Sequence, residues 1–222
     1  MQKIFNHIEL PEHIESLAEM KANTGGDGTR TYSTPVGNFP SVTTVVGWEK
    51  QKFFAEWRRN NPQERVLRRG NNLHNIIEDY LNNEDVDLMS LDPNVADLFM
   101  QIKPELDKID NVRALEVALF SRTLELAGRV DCIAEYNGTL SVIDFKGSTR
   151  TKQSKDIENY HLQATAYCIM WQERPGIPIR EYNILVASED RTTPQVFTGN
   201  PLDHVTGLRK AILNYQRQRV TV

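Results

Sequence analysis

The second half of the chain switches between two hydrophobic periods, and the switches lay out its elements. "VRALEVALFS", "LELAGRVDCIAEY", "TLSVIDF" and "EYNILVAS" place apolar and β-branched residues at a period of two, which predicts strands. "NYHLQATAYCIMWQE" returns to helical spacing, and a short strand and a helix around His204–Arg217 close the chain. In the first half the clearest helix runs from Pro62 to Asn82, where Leu73, Ile76, Ile77, Tyr80 and Leu81 fall on one buried stripe. Shorter helices are expected near Glu9–Met20, after Pro40-Ser41, through Phe53, Phe54 and Trp57, and after Asp92-Pro93 with a kink near Pro104. "NTGGDGTR" has no strand expected before it and lacks the lysine of a phosphate-binding loop, so it reads as a flexible connection. The expected architecture is an α/β chain folding as one unit: a mainly helical N-terminal part over residues 1–111 and a mixed sheet over 112–222, with no flexible linker.

Asn137-Gly138 between two alternating runs is a strong hairpin signal, because a type I′ turn needs positive φ at both central residues. With these two as the loop, Tyr136 faces Thr139, and each further step outward pairs residues symmetric about the turn. Asp131 then falls directly opposite Asp144, in the class of pair whose Cα atoms approach to about 4.5 Å. Like charges so placed repel. Lys146 shares their face, while Ile143 and Phe145 point to the other. Two hard oxygen donors beside an amine suit a divalent cation such as Mg2+ or Mn2+.

Composition narrows the setting without naming the chemistry. The 222 residues carry 39% hydrophobic and 25% charged side chains, enough for a sizeable core. A net charge of −4 argues against wholesale polyanion binding but not against a few clustered cations tracking a phosphate backbone. Cys132 and Cys168 are too few for a disulfide framework and read as small buried hydrophobes, so a reducing cytoplasm is expected. The start lacks the features of a secretory or transit segment, and no run is long enough for a membrane span.

Gly128-Arg129-Val130-Asp131 followed by Ile143-Asp144-Phe145-Lys146 resembles the PD-(D/E)XK nuclease superfamily, in particular its RecB-like exonuclease branch. "FPSVTTVV", "RRGNNLHNIIEDYL" and "VDCIAEYNGTLSVIDFKGS" are similar to segments of the mitochondrial genome maintenance exonuclease group, in the same order. The resemblance implies a restriction-endonuclease-like mixed sheet flanked by helices. It implies that Asp131, Asp144, His74 and the backbone carbonyl of Phe145 hold the metal, and that Lys146 serves the attacking water. Gln163 and Tyr167 match a Q-x-x-x-Y signature that supports the catalytic lysine or the DNA. Glu116 is either an acid near the metal or a plain outward strand residue, and Glu78 reads as a solvated glutamate. The lysine is followed by Gly147-Ser148 where the mitochondrial group has Thr-Ser, and the lack of a presequence makes a bacterial or phage setting the expected one.

Basic residues border this site on both sides in the sequence. Arg58, Arg65 and Arg69 precede His74, and Ser148, Arg150 and Lys152 follow Lys146, as candidate DNA contacts. Trp48, Phe53, Phe54 and Trp57 are candidate stacking residues in an arch over the site. The resemblance implies metal-dependent exonucleolytic hydrolysis of DNA from free ends, with single strands as the expected substrates and 5′-phosphates as the products. A structure-selective endonuclease or resolvase, and a catalytically silent DNA-end binding module, are the alternatives.

Overall fold

The computed structural model describes residues 3–10, 20–26, 28–50 and 64–220. Its first elements depart from the helical expectation. Strands β1 (Ala22–Thr24), β2 (Arg30–Thr34) and β3 (Gly37–Pro40) form an antiparallel sheet in that order. "NTGGDGTR" is therefore the connection of a hairpin, with a strand before it, closed by the Gly25 N–H donating to the Thr29 carbonyl at 2.8 Å. These strands are short and mostly exposed, with Tyr32 alone of β2 buried, so no period-two apolar pattern marks them.

Helix α1 (Val42–Val46) begins where Pro40-Ser41 predicted, with the Ser41 hydroxyl accepting from the Thr44 N–H at 3.1 Å. Ser41 is buried and also ties the strand beside it: its N–H donates to the Arg30 carbonyl at 2.8 Å, and Thr44 Oγ1 accepts from the Arg30 N–H at 3.0 Å. Ser41→Ala is expected to cost about 1–2 kcal/mol, read as a lower urea midpoint at unchanged slope. Helix α2 (Glu64–Leu81) buries the whole expected stripe. Helix α3 (Pro93–Leu106) starts from an Asp92 cap with proline at its first position and runs through Pro104 to its end. The helices expected near Glu9–Met20 and through Phe53, Phe54 and Trp57 fall on residues outside the described set.

Strands β4 (Ile109–Ser121), β5 (Leu126–Tyr136) and β6 (Thr139–Ser148) follow one another and pair antiparallel. Helix α4 (Glu158–Glu173) then crosses over, so that β7 (Glu181–Ser188) lies parallel to β6, and β8 (Gln195–Gly199) returns antiparallel before helix α5 (Pro201–Val220). The sheet order β4-β5-β6-β7-β8 makes the expected mixed core flanked by helices. One face packs Leu162, Ala166, Met170 and Trp171 of α4 on Val130, Val142, Ile184 and Val186. The other packs Leu73, Ile77, Leu98 and Ile102 of α2 and α3 on Cys132, Ile143, Phe145 and Leu185. Both cysteines are buried thiols, and among the described residues no helix is long and apolar enough to cross a membrane.

Candidate active site

Asn137 and Gly138 have φ of 50° and 81°, the pair of positive values that a type I′ turn needs. The register is symmetric about them from Tyr136–Thr139 to Cys132–Ile143, as the turn implies. The paired register ends there, one step short of Asp131 and Asp144. Instead the Asp131 carboxylate takes the place of a strand acceptor, and its Oδ2 accepts from the Phe145 N–H at 2.9 Å. A side chain thus satisfies the backbone group freed by the end of pairing.

Asp144 is 1% exposed, and its two oxygens have different fates. Oδ1 accepts from Lys146 Nζ at 2.7 Å, while Oδ2 is buried with no hydrogen-bond partner among the described residues. Burial pushes the Asp144 carboxyl up, Lys146 opposes this, and the Asp131 charge adds to it, leaving it at about 6. Burial pulls the Lys146 amine down, but the Asp144 and Asp131 carboxylates outweigh it and hold the ammonium well above its usual range. The ammonium also lies over the Tyr160 ring, 5.4 Å from its centroid.

His74 follows Leu73 on α2, and its half-buried ring reaches Glu116 in β4 and Asp131 in β5. Its Nδ1 lies 3.6 Å from Glu116 Oε1 and 3.8 Å from Asp131 Oδ2. Potential ligand atoms of His74, Glu116 and Asp131 all fall within 4.8 Å of one another. Burial lowers the His74 imidazole, yet Asp131 and Glu116 together raise it on balance. Glu116 stands between the pairs Leu115–Cys132 and Val117–Val130 with φ of 49°, a left-handed glutamate inside a strand. That conformation costs on the order of 1–2 kcal/mol and marks the position as one held by its surroundings. The sequence left Glu116 undecided because nothing in a strand pattern announces such a residue. A divalent cation fits this donor set: three ligand-capable side chains converge, and the orphaned Asp144 oxygen is the kind of buried acceptor that a cation would satisfy.

Gln163 and Tyr167 lie on one side of α4 and line the same cleft as His74, Glu116 and Asp131, whose volume is about 410 Å³. Their side chains bond to each other, and burial holds the Tyr167 hydroxyl well above its usual range. Gly128 admits that ring: a Cβ there would sit 2.8 Å from the Tyr167 hydroxyl and 3.0 Å from Cε1. Gly128→Ala is expected to destabilise by about 1–3 kcal/mol. Tyr167→Phe in the same chain should recover part of that loss, so the pair departs from additivity in a double-mutant cycle. Glu78, read as solvated, is half-buried at the cleft edge, and burial and then Glu116 raise its carboxyl.

The expected DNA contacts are not gathered in the same way. Arg69 is 6% exposed and paired with Glu189, so its guanidinium is already engaged. The Ser148 hydroxyl donates to the Arg150 carbonyl at 2.7 Å, and the Lys152 main chain exchanges hydrogen bonds with the Gln195 side chain. Arg150 is half-way round the turn that follows β6 and exposed. Trp48 packs edge-on against Tyr215 and donates to Gln218, which occupies it in the α1–α5 seam and not in an arch. Arg58 and the side chain of Arg65 lie outside the described residues. The exposed cations that do line the cleft are Arg30 and Arg129, neither selected from the sequence as a DNA contact. Arg129, two residues before Asp131 on a period-two strand, carried a usable signal; Arg30, in an unrecognised strand, carried none.

Comparison with known proteins agrees with this arrangement. The mitochondrial genome maintenance exonuclease 1 of Mus musculus is 27% identical over 180 residues, covering 71% of this chain and 53% of its own length. The Homo sapiens protein of the same name is 32% identical over 130 residues, 51% of this chain and 38% of its own length. The Xenopus tropicalis protein is 29% identical over 147 residues, 59% of this chain and 42% of its own. The matched part thus spans about half or less of each relative. The family model described as PD-(D/E)XK nuclease superfamily matches residues 95–219, which contain the hairpin, Lys146 and α4. With that match over more than half of its length, and with the mixed sheet and acid cluster described above, the chain belongs to the PD-(D/E)XK nuclease superfamily.

Proposed function

We propose that this cleft hydrolyses phosphodiester bonds of DNA from free ends, acting on single strands, with Mg2+ or Mn2+ as the working ion. The observation that carries the reading is the buried Asp144 oxygen without a partner, next to an ammonium and a converging His74–Glu116–Asp131 set. Asp131, Asp144 and His74 would hold the ion, with Glu116 and the Phe145 carbonyl completing its shell. When bound, the ion supplies Lewis-acid stabilisation of the charge that builds up on the phosphate.

The chain's own groups do the rest. The carboxylates beside Lys146 favour its charged form, so it would act as a donor that orients the attacking water and stabilises a phosphate oxygen. Asp144 aims that ammonium through the 2.7 Å contact. Gln163 and Tyr167 would fix a wall of the cleft that holds His74, Glu116 and Asp131. Water oxygen joins phosphorus and gives up a proton to solvent, the bond from phosphorus to the 3′ oxygen breaks, and the leaving 3′ oxygen takes up a proton from solvent, giving 5′-phosphate and 3′-hydroxyl products. Arg150 and Lys152, beyond the end of β6, would follow the backbone outward; Arg69 is excluded from that task by its pairing with Glu189.

Labelled linear single-stranded, linear blunt and circular single-stranded DNA, each with Mg2+ and with Mn2+, test the reading. The linear single strand should be shortened to 5′-phosphorylated products while the circle survives. Cutting of the circle would replace it with an endonuclease, and binding without release of nucleotides with a silent end-binding module.

A further inference from the structure

We infer that Arg30 and Arg129 form a phosphate-binding wall of this cleft, holding the nucleic-acid backbone beside the bond being cut. The inference rests on the nuclease reading of the same site and adds two cations to its acids, His74 and Lys146. A cleft lined by Glu78, Glu116 and Asp131 repels a polyanion unless cations stand in the same space. Arg69 cannot serve, because it is buried against Glu189. Arg30 and Arg129 line the cleft, are exposed, and form no ion pair among the described residues.

Both are presented from well-tied backbone. Arg129 is paired with Ala118 in the long β4–β5 ladder, and Arg30 is anchored through both main-chain groups to the buried Ser41–Thr44 pair. Arg129 Nη1 donates to the Glu116 carbonyl, which immobilises the guanidinium. A guanidinium carries five N–H donors in a fixed fork, so the remaining ones stay available to phosphate oxygens at reduced entropic cost. That same contact caps the strained, left-handed Glu116. Arg129 therefore has a second task as a positioning residue for the Glu116 carboxylate, whereas Arg30 has the phosphate task alone.

The two tasks separate in the kinetics. In a Lys146→Ala background with Mg2+, fluorescence anisotropy of a labelled single-stranded oligonucleotide gives Kd at several salt concentrations. Arg30→Ala and Arg129→Ala should each raise Kd about tenfold. Each should also flatten the slope of log Kd against log salt by about 0.7. In the otherwise native chain, Arg30→Ala should raise KM and leave kcat near its starting value. Arg129→Ala should lower kcat as well, with Arg129→Lys recovering part of kcat because an ammonium can still donate to the Glu116 carbonyl. Should Arg129→Ala not fold, Arg30→Ala and Arg129→Lys carry the same comparison. Native Kd and salt slope in both arginine variants, with a wild type that cuts DNA, overturn this inference alone. A wild type that binds DNA but releases no nucleotides overturns the nuclease reading beneath it.

Discussion

Lys146→Ala should lower the rate of DNA hydrolysis by roughly 100- to 1,000-fold while leaving a folded protein, the usual consequence of deleting one donor aimed at developing charge. The size follows from what Lys146 is in this site. Its side chain is 19% exposed, with the ammonium held 2.7 Å from a nearly inaccessible carboxylate and its charged form favoured by two acids. Losing one partner of a buried pair ordinarily costs about 3 kcal/mol or more. Here the damage is limited, because burial already pushes Asp144 up to about 6 and it can take a proton when Lys146 is gone. The variant should therefore melt only modestly lower near pH 5, and progressively lower at neutral pH where protonating Asp144 becomes costly. Single-turnover cleavage together with thermal unfolding at the two pH values checks both halves.

The second large effect concerns stability with and without a divalent ion. In the ion-free protein Asp144 stands at about 6 against an ordinary 3.8, so the folded state binds this proton more tightly than the unfolded chain. Its contribution is fully present below about pH 4 and is lost as pH rises through about 6. His74, also raised on balance, works in the same direction at higher pH. Ion-free wild type should thus become less stable between pH 4 and pH 7, and Asp144→Asn should remove much of that slope. A divalent ion should restore the neutral-pH loss: at 100 times its dissociation constant, binding to the folded state alone adds about 2.7 kcal/mol. Melting curves in EDTA and in excess Mn2+, for wild type and Asp144→Asn, should show the ion-dependent rise only in the wild type.

Much of the core was legible because its signals are local and periodic. The Asn137-Gly138 turn set the β5–β6 register, the α2 stripe set which face His74 follows, and the i,i+4 spacing set Gln163 and Tyr167 on one side of α4. Parity also placed Phe145 and Ile143 in the opposite core layer from Val142. What escaped depends on contacts that no local pattern records. The β5–β6 ladder ends a pair early because Asp131 supplies a side-chain acceptor, an event that counting along strands does not contain. Glu116 reaches His74 only through a left-handed backbone whose carbonyl is capped by Arg129. Arg69 was read by its charge, but its fate was decided by Glu189, 120 positions away. Strands β1 to β3 were missed because an exposed three-to-five-residue strand has no buried face to leave a period in its sequence.

Divalent-ion binding by the acids and His74 underlies every role assigned to this cleft. Mn2+ titrated into the ion-free protein, with its free fraction followed by electron paramagnetic resonance, tests it most directly, with and without a single-stranded oligonucleotide. Wild type should deplete free Mn2+ stoichiometrically at the cleft, and folded Asp131→Asn and Asp144→Asn variants should lose most of that binding. Variants that take up Mn2+ as the wild type does, or a wild type that takes up none even with DNA present, would contradict it.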